Sequence, residues 1–506
     1  MTSAGFAEIE RTFDVNPATV LPPLHDLPGV THVDPPVEHH LDALYYDSAD
    51  LVLASRRLTL RRRTGGDDAG WHLKLPVAVD ERREMREPLG DDPEKIPEGI
   101  LNLVRGVLRG RTLVPVVRLR TRRVLHQLVG ENDSVLAEVC DDEVQADRLA
   151  PEPFSQTWRE WEVELVHGSR ALLDAAQERL ASVGVEPSAS PSKLARALGD
   201  RLPEFVTAPV LRATRKSSAG TVLMAYVQEQ VQAIGVQDAR VRGNDADAVH
   251  RMRVATRRLR SALSTYRDLL DTSVTAPLRD ELRWLAGALG AARDAEVIRQ
   301  RLVHRLGQEP AELVVGPLAE RIDAHFAAVI NAARLEALAA LDSDRYFGLL
   351  DRLDAMQASA PLRPRAEKPA STVIPELIRA DWKRLRASVF LARGTPSGPV
   401  RDEALHEARK RAKQLRYAAE TATPLRRARA TRLVAAARQV QDTLGDHQDS
   451  VVARTELLRL GMAAYLQGEN AFSYGRLHAV EQGGAAAMEA RFFRTWRDFP
   501  KASIAK

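Results

Sequence analysis

Residues 249–260 read V-H-R-M-R-V-A-T-R-R-L-R, and residues 405–416 read L-H-E-A-R-K-R-A-K-Q-L-R. His250, Arg253, Arg257 and Arg260 in the first stretch correspond to His406, Arg409, Lys413 and Arg416 in the second. At about 100° per residue these spacings fall in one narrow sector of a helix, so each copy presents a basic stripe. A second pair follows in the same order: Leu289-Gly290-Ala291-Ala292-Arg293-Asp294 and Leu444-Gly445-Asp446-His447-Gln448-Asp449. A duplicated helical unit with rows of cations ending in arginines that can grip an anion through two N–H groups points to a receptor for a long polyanion.

Around these stretches, from about residue 220 onward, Ala, Leu, Arg and Glu recur with helical spacing and aromatic residues thin out. This half reads as an all-α duplicated bundle over 219–500, with repeats at about 219–360 and 370–500. The break is Leu362-Arg363-Pro364-Arg365-Ala366-Glu367-Lys368-Pro369, placed as two sub-bundles would require. A solvated face would also carry such stripes, but acidic partners are scarce beside the first copy: Asp247 precedes it and Asp268 follows it. One histidine per helix, without a neighbouring ligand cluster, argues against metal at these positions. Asp294 and Asp449 are candidates to cap or brace the bundle.

Residues 1–205 differ. Short runs alternate apolar and polar with period two between Pro, Gly and Asp clusters, which is β-rich sequence. A turn-rich break, P-S-A-S-P-S at 187–192, precedes a short helix, and 206–218 is the expected linker. Several strands gather like charges on one face. Glu8, Glu10 and Thr12 share one, and Glu160, Glu162 and Glu164 share another. Arg61 with Arg63, His72 with Lys74, and Arg118 with Arg120 and Arg122 form cationic faces. Alone, each is an ordinary wet sheet face. Together they are reconciled by one closed barrel with a charged lumen, where cations clamp a substrate rich in negative oxygens and carboxylates hold a bridging divalent ion. The expected fold class is therefore α+β multidomain, an N-terminal antiparallel barrel with flanking helices followed by the helical bundle.

At 506 residues more than one core is needed, and Lys+Arg 73 against Asp+Glu 69 makes the location of charge more informative than its sum. The single cysteine, Cys140, excludes an internal disulfide and fits a reducing compartment. No uninterrupted apolar run approaches about 20 residues, and no cationic start leads into an apolar stretch, so neither a membrane span nor a secretory signal is expected. The expected location is the cytoplasm. There is neither a G-x-S-x-G elbow nor a Walker P-loop, so no covalent nucleophile is expected.

The first 200 residues resemble the CYTH family, the triphosphate tunnel metalloenzymes. The likeness is carried by Glu8-Ile9-Glu10-Arg11-Thr12, Tyr45-Tyr46-Asp47, L-T-L-R-R-R at 58–63 and W-H-L-K-L-P at 71–76. The arginine strand at 118–123, Glu138 with the following aspartates, W-E-V-E-L at 161–165 and Lys193 complete it. The resemblance implies hydrolysis of a terminal phosphoanhydride with Mg²⁺ or Mn²⁺. Glu8, Glu10, Glu162 and Glu164 are its implied catalytic and metal carboxylates, with Glu138 and Asp142 as further ligands. Arg61, Arg63, Lys74, Arg120, Arg122 and Lys193 would hold phosphate oxygens. The signature ends in lysine where this chain has Thr12, and Arg11 should point to the opposite face. Residues 215–500 resemble the CHAD family of conserved-histidine helical domains, which is associated with inorganic polyphosphate. The implied partners are polyphosphate or tripolyphosphate, with polyphosphate granules as a possible destination in the cell; no stacking aromatics suit single-stranded nucleic acid. The alternatives are a weakly catalytic polyphosphate-binding protein, a thiamine triphosphatase and an adenylate cyclase.

Overall fold

The computed structural model describes residues 6–77, 81–149, 152–204, 210–245 and 247–500. The chain divides into two compact units, 1–207 and 208–506. Residues 206–209 of the expected linker lie outside the described residues.

The first unit is built from strands β1 (Phe6–Val15), β2 (His32–Val33), β3 (Val37–Asp47), β4 (Thr59–Thr64) and β5 (Gly70–Pro76). They are followed by β6 (Glu81–Glu87), β7 (Val114–Val129), β8 (Val135–Arg148), β9 (Phe154–Leu165) and β10 (Glu186–Pro187). All pairings are antiparallel, and the order β1-β6-β5-β4-β3-β7-β8-β9 returns to β1 through Glu10↔Glu164 and Thr12↔Glu162. Closure removes the edges that eight alternating strands would otherwise expose.

Three helices finish the barrel: α1 (Glu98–Leu108), α2 (Arg170–Ala181) and α3 (Lys193–Leu198). Ile100, Val104 and Leu108 of α1 bury against Leu60, Trp71 and Leu73, the faces of β4 and β5 that point away from the lumen. Leu172, Leu173, Ala176 and Leu180 of α2 cover Phe13, Trp161 and Val163 in the same way. Helix α3 packs Leu194, Ala197 and Leu198 among Ala43, Tyr45, Val117, Leu119, Val144 and Ala146, apolar positions of the lumen-facing register. In Tyr45-Tyr46-Asp47, Asp47 accepts the backbone N–H of Ser48, Leu53 and Ala54 and so fixes the turn leaving β3.

The second unit holds α4 (Ala219–Arg242), α5 (Ala248–Thr265), α6 (Thr272–Ala288), α7 (Gly290–Leu306) and α8 (Leu318–Leu341). They are followed by α9 (Asp344–Ala358), α10 (Ala370–Gly394), α11 (Pro399–Glu420), α12 (Thr423–Leu466) and α13 (Phe472–Thr495). The two repeats do not pack as separate sub-bundles. Leu259 and Leu263 of α5 share one core with Leu405 and Leu415 of α11, because each helix is apolar on the face next to its basic stripe. The 362–369 break is pinned to the first repeat by bridges Ser218↔Pro369 and Leu270↔Leu362. A second core joins α7, α8, α12 and α13 through Leu302, Phe326, Leu457 and Leu477. Helix α8 reaches a mean hydropathy of 1.3, enough by length and composition to cross a membrane. Glu320, Arg321, Asp323, Arg334 and Glu336 interrupt it, which is why no continuous apolar run is visible in the sequence, and its Leu318, Ile322 and Phe326 are committed to the protein core.

Candidate functional site

The barrel encloses a cavity of about 490 Å³ lined by Glu8, Glu10, Thr12, Arg61, Arg63, Lys74, Arg82, Arg123, Glu138, Glu162, Glu164 and Lys193, among others. Strand parity explains the convergence, since each strand turns alternate residues inward.

One expected row is misplaced. Arg118, Arg120 and Arg122 do share a face of β7, but it is the outer one, exposed and paired with Asp42, Asp147 and Glu38. The inward residues of β7 are Leu119, Thr121, Arg123, Leu125 and Gln127, so Arg123 is the lumen cation of this strand and Arg120 and Arg122 are not. Arg11 also points outward, to Asp174 and Gln177 of α2, as expected.

The six expected metal carboxylates do not form one set. Glu8, Glu10 and Glu164 bring candidate ligand atoms within 4.8 Å of one another, and Asp142, Glu160 and Glu162 do so separately. Glu138 lines the cavity and accepts a hydrogen bond from Gln127 at 3.0 Å, apart from both groups. Asp142 is fully buried and bound to Arg123 rather than open to the cavity. Glu160, unassigned from sequence although it shares the face of Glu162, takes its place in the second group.

The charges of the two groups differ. Burial opposes ionisation of Glu162, but Lys193 and Arg123 outweigh it and hold the carboxyl well below its usual range. Glu164 is pushed up to about 7 by burial and then by the nearby Glu8 carboxylate. Burial likewise raises Glu10, against the pull of Lys74. Glu8 is 4 % exposed, and its Oε2 has no hydrogen-bond partner. An orphaned buried acceptor among crowded carboxylates fits a hard divalent cation.

On the cationic side, burial and then repulsion from Arg61 and Arg123 push Arg63 down to about 9. Glu84, in the unread alternation E-R-R-E-M-R-E of β6, is completely buried, 2.9 Å from His72 Nδ1 and 3.7 Å from Arg61. His72 is accordingly structural: it is completely buried, with Nδ1 2.9 Å from a Glu84 carboxylate oxygen and Nε2 2.9 Å from the Asp68 carbonyl. Gly65, at φ +77°, makes the turn that brings Asp68 onto Arg63, and a Cβ there would lie 2.0 Å from the His40 carbonyl oxygen.

In the helical unit a cavity of about 1010 Å³ is lined by His250, Arg253 and Arg257 of α5 and by His406, Arg409, Lys413 and Arg416 of α11. Arg260 does not line it; burial and then the charges of Arg283 and Arg279 of α6 lower its pKa. The Gly-Asp motif explains itself here. Arg253 donates to the Gly290 carbonyl at 3.1 Å and to both Asp294 oxygens at 2.8 and 3.0 Å, while a Cβ on Gly445 would stand 3.0 Å from the Arg409 guanidinium. Gly445 leaves room for Arg409, and Asp294 braces Arg253. Burial, then Arg409, Arg257 and Arg253, push Lys413 down to about 7. Arg293 and Gln448, equivalent residues of the duplicated Leu-Gly-x-x-x-Asp segments, also line the cavity, as do Arg438 and Gln441 from outside the repeated pattern.

Among known proteins, the CYTH domain family matches residues 7–198 and the CHAD domain family residues 225–458. The chain is similar to uncharacterised proteins from two strains of Mycobacterium tuberculosis, 39 % identical over 491 residues, covering 94 % of this chain and 92 % of theirs. A solved CHAD domain from the plant Ricinus communis is 26 % identical, covering 56 % of this chain and 93 % of that one, with a TM-score of 0.45. A putative adenylyl cyclase from Hippeastrum, described as having dominant triphosphatase activity, is 18 % identical over 38 % of this chain and 95 % of its own, with a TM-score of 0.22.

Proposed function

Because this chain belongs to the CYTH and CHAD domain families, we propose that it is a divalent-metal-dependent triphosphatase whose helical unit binds inorganic polyphosphate. The observation that carries the reading is the tunnel itself: Arg61, Arg63, Lys74 and Arg123 face Glu8, Glu10 and Glu164 across one enclosed cavity. Arg61, Arg63 and Arg123 hold phosphate oxygens. Glu84 and Tyr45 keep Arg61 oriented, at 3.7 and 3.4 Å. Glu8, Glu10 and Glu164 would hold Mg²⁺ or Mn²⁺, which supplies charge neutralisation at the phosphoryl oxygens and lowers the pKa of water. Lys74, 2.5 Å from Glu8 Oε1, holds that carboxylate at the cavity wall. The helical cavity, with cations contributed by both repeats, takes the longer chains. Phosphate release from tripolyphosphate, ATP and thiamine triphosphate, each with Mg²⁺ or Mn²⁺, tests the activity and its substrate together. No release from any of them leaves the polyphosphate-binding reading alone.

Two substitutions separate the lumen from the outer wall. Arg123→Ala should lower kcat/KM for tripolyphosphate by about 100-fold, the scale of one removed charge-stabilising donor. Arg120→Ala with Arg122→Ala should leave it within about twofold, since exposed ion pairs contribute little. Equal losses in the two proteins would return the outer row to the site.

Thr12 faces the cavity opposite Glu162 in the β1–β9 ladder. Thr12→Lys would add an ammonium beside the bound phosphates, and turnover should rise about tenfold or more. Unchanged kinetics would show that the existing cations already supply that charge.

A further inference from the structure

The two acid groups in the tunnel are neutralised differently. Asp142, Glu160 and Glu162 converge on one ammonium: Lys193 Nζ lies 3.0 Å from Asp142 Oδ2, 2.6 Å from Glu160 Oε1 and 2.5 Å from Glu162 Oε1. Arg123 adds 2.6 Å to Asp142 and 2.7 Å to Glu162, and the second oxygen of Glu160 accepts from Trp158 Nε1 at 2.5 Å. Lys193 is the first residue of α3, after the Ser192 cap, where a cation gains nothing from the helix dipole. Its position is explained by the three carboxylates.

Glu8, Glu10 and Glu164 are not closed in this way. Lys74 meets Glu8 Oε1 at 2.5 Å but reaches Glu10 only at 4.0 Å, and Arg82 meets Glu10 at 3.2 Å. The buried Oε2 of Glu8 is unpartnered. Among the described residues, the Glu164 carboxylate has no hydrogen bond or ion pair, and it lines the open cavity.

We propose that the tunnel takes a single divalent cation, at Glu8, Glu10 and Glu164, and that the Lys193 ammonium fills the second acid group as a tethered replacement for another metal ion. Lys193 is then a device that sets metal stoichiometry, not a phosphate ligand. The Lys193 ammonium stands within 3.0 Å of all three carboxylates of its group, where a metal ion would have to sit, whereas in the other group Lys74 and Arg82 reach only Glu8 and Glu10 and leave Glu8 Oε2 and Glu164 open. This inference rests on the metal-dependent reading above.

Mn²⁺ binding to the full chain, cleared of metal and free of substrate, tests it by equilibrium dialysis and by the electron paramagnetic resonance of free Mn²⁺. One tightly bound Mn²⁺ per chain is expected. Glu164→Gln should weaken it at least about tenfold, the scale seen when a metal site loses a supporting group. Glu160→Gln should leave affinity and count unchanged, and Lys193→Met should raise the count to two. Two tight ions in the unaltered chain, or one in a folded Lys193→Met protein, overturn the proposal while leaving metal-dependent hydrolysis standing. No tight ion in the unaltered chain overturns the metal-dependent reading itself. Should Lys193→Met fail to fold, the count in the unaltered chain and the contrast between Glu160→Gln and Glu164→Gln decide the matter.

Discussion

Replacing Glu10 and Glu164 together by glutamine is expected to lower tripolyphosphate hydrolysis by about 10³-fold or more, with the barrel still folded. The two residues are direct partners in the β1–β9 ladder, so both amides occupy the same stretch of the lumen. Glutamine preserves shape and strand propensity but removes both negative charges from the open acid group. The change should also relieve folded-state crowding, because Glu164 is already driven up to about 7 by burial and by Glu8. Thermal stability should therefore hold or rise while phosphate release collapses. Turnover near that of the unaltered protein in a folded double variant would remove Glu8, Glu10 and Glu164 from the chemistry.

The second large effect belongs to the helical cavity. Arg257→Glu with Lys413→Glu reverses the charge of one residue from each repeat and should weaken binding of long-chain polyphosphate at least about 100-fold, while tripolyphosphate hydrolysis in the barrel persists. In the unaltered protein, at the slope of about −0.7 per neutralised phosphate seen for single strands, six contacts weaken binding by roughly 300-fold from about 50 to 200 mM salt. The pH dependence has a definite sign. Burial and three neighbouring arginines hold Lys413 at about 7, so above neutrality the empty site has lost a proton that a polyanion must restore. Affinity should fall as pH rises from 7, by no more than about tenfold per unit for one proton, and Lys413→Arg should flatten the profile. Titration of labelled polyphosphate at two salt concentrations and several pH values reads all of this, and a flat salt response would exclude a polyanion as the ligand.

Much of this arrangement was legible in the sequence, and its failures share a cause. Period two shows which residues of a strand lie together, but a barrel with a wet lumen and a wet exterior offers polar surroundings on both sides. On β4 and β5 the ambiguity resolves, because Leu60, Trp71 and Leu73 need the cover of α1 and Arg61, Arg63 and Lys74 must then face inward. The row Arg118, Arg120 and Arg122 is exposed, and its charges belong to solvent. Arg123 was hidden by its outward-facing neighbour Arg122. Glu84 was missed because E-R-R-E-M-R-E, nearly devoid of apolar residues, does not announce a strand. Glu160 and Glu162 were read correctly as sharing a face, but only the fold places Lys193 against them. In the helical unit the spacing placed seven of the eight expected cations and histidines on the cavity wall with no tertiary information, and Arg260 alone of them falls outside it, beside Arg283 and Arg279.

The duplicated arginine and glycine pairs have a consequence for direction. Arg253 lies against Gly290 and Arg409 against Gly445, and Lys413 is repelled by Arg257, its own counterpart in the other repeat. Such a cavity offers cations from both repeats to a ligand, whichever of its ends enters first. Nucleic acids and peptides run one way along their backbones, and reversing one would misplace its sugars or its amides. A chain of identical phosphates linked through shared oxygens reads alike forwards and backwards. A site built twice from one gene segment is therefore suited to a polymer without a beginning, which can be gripped wherever along its length it is met.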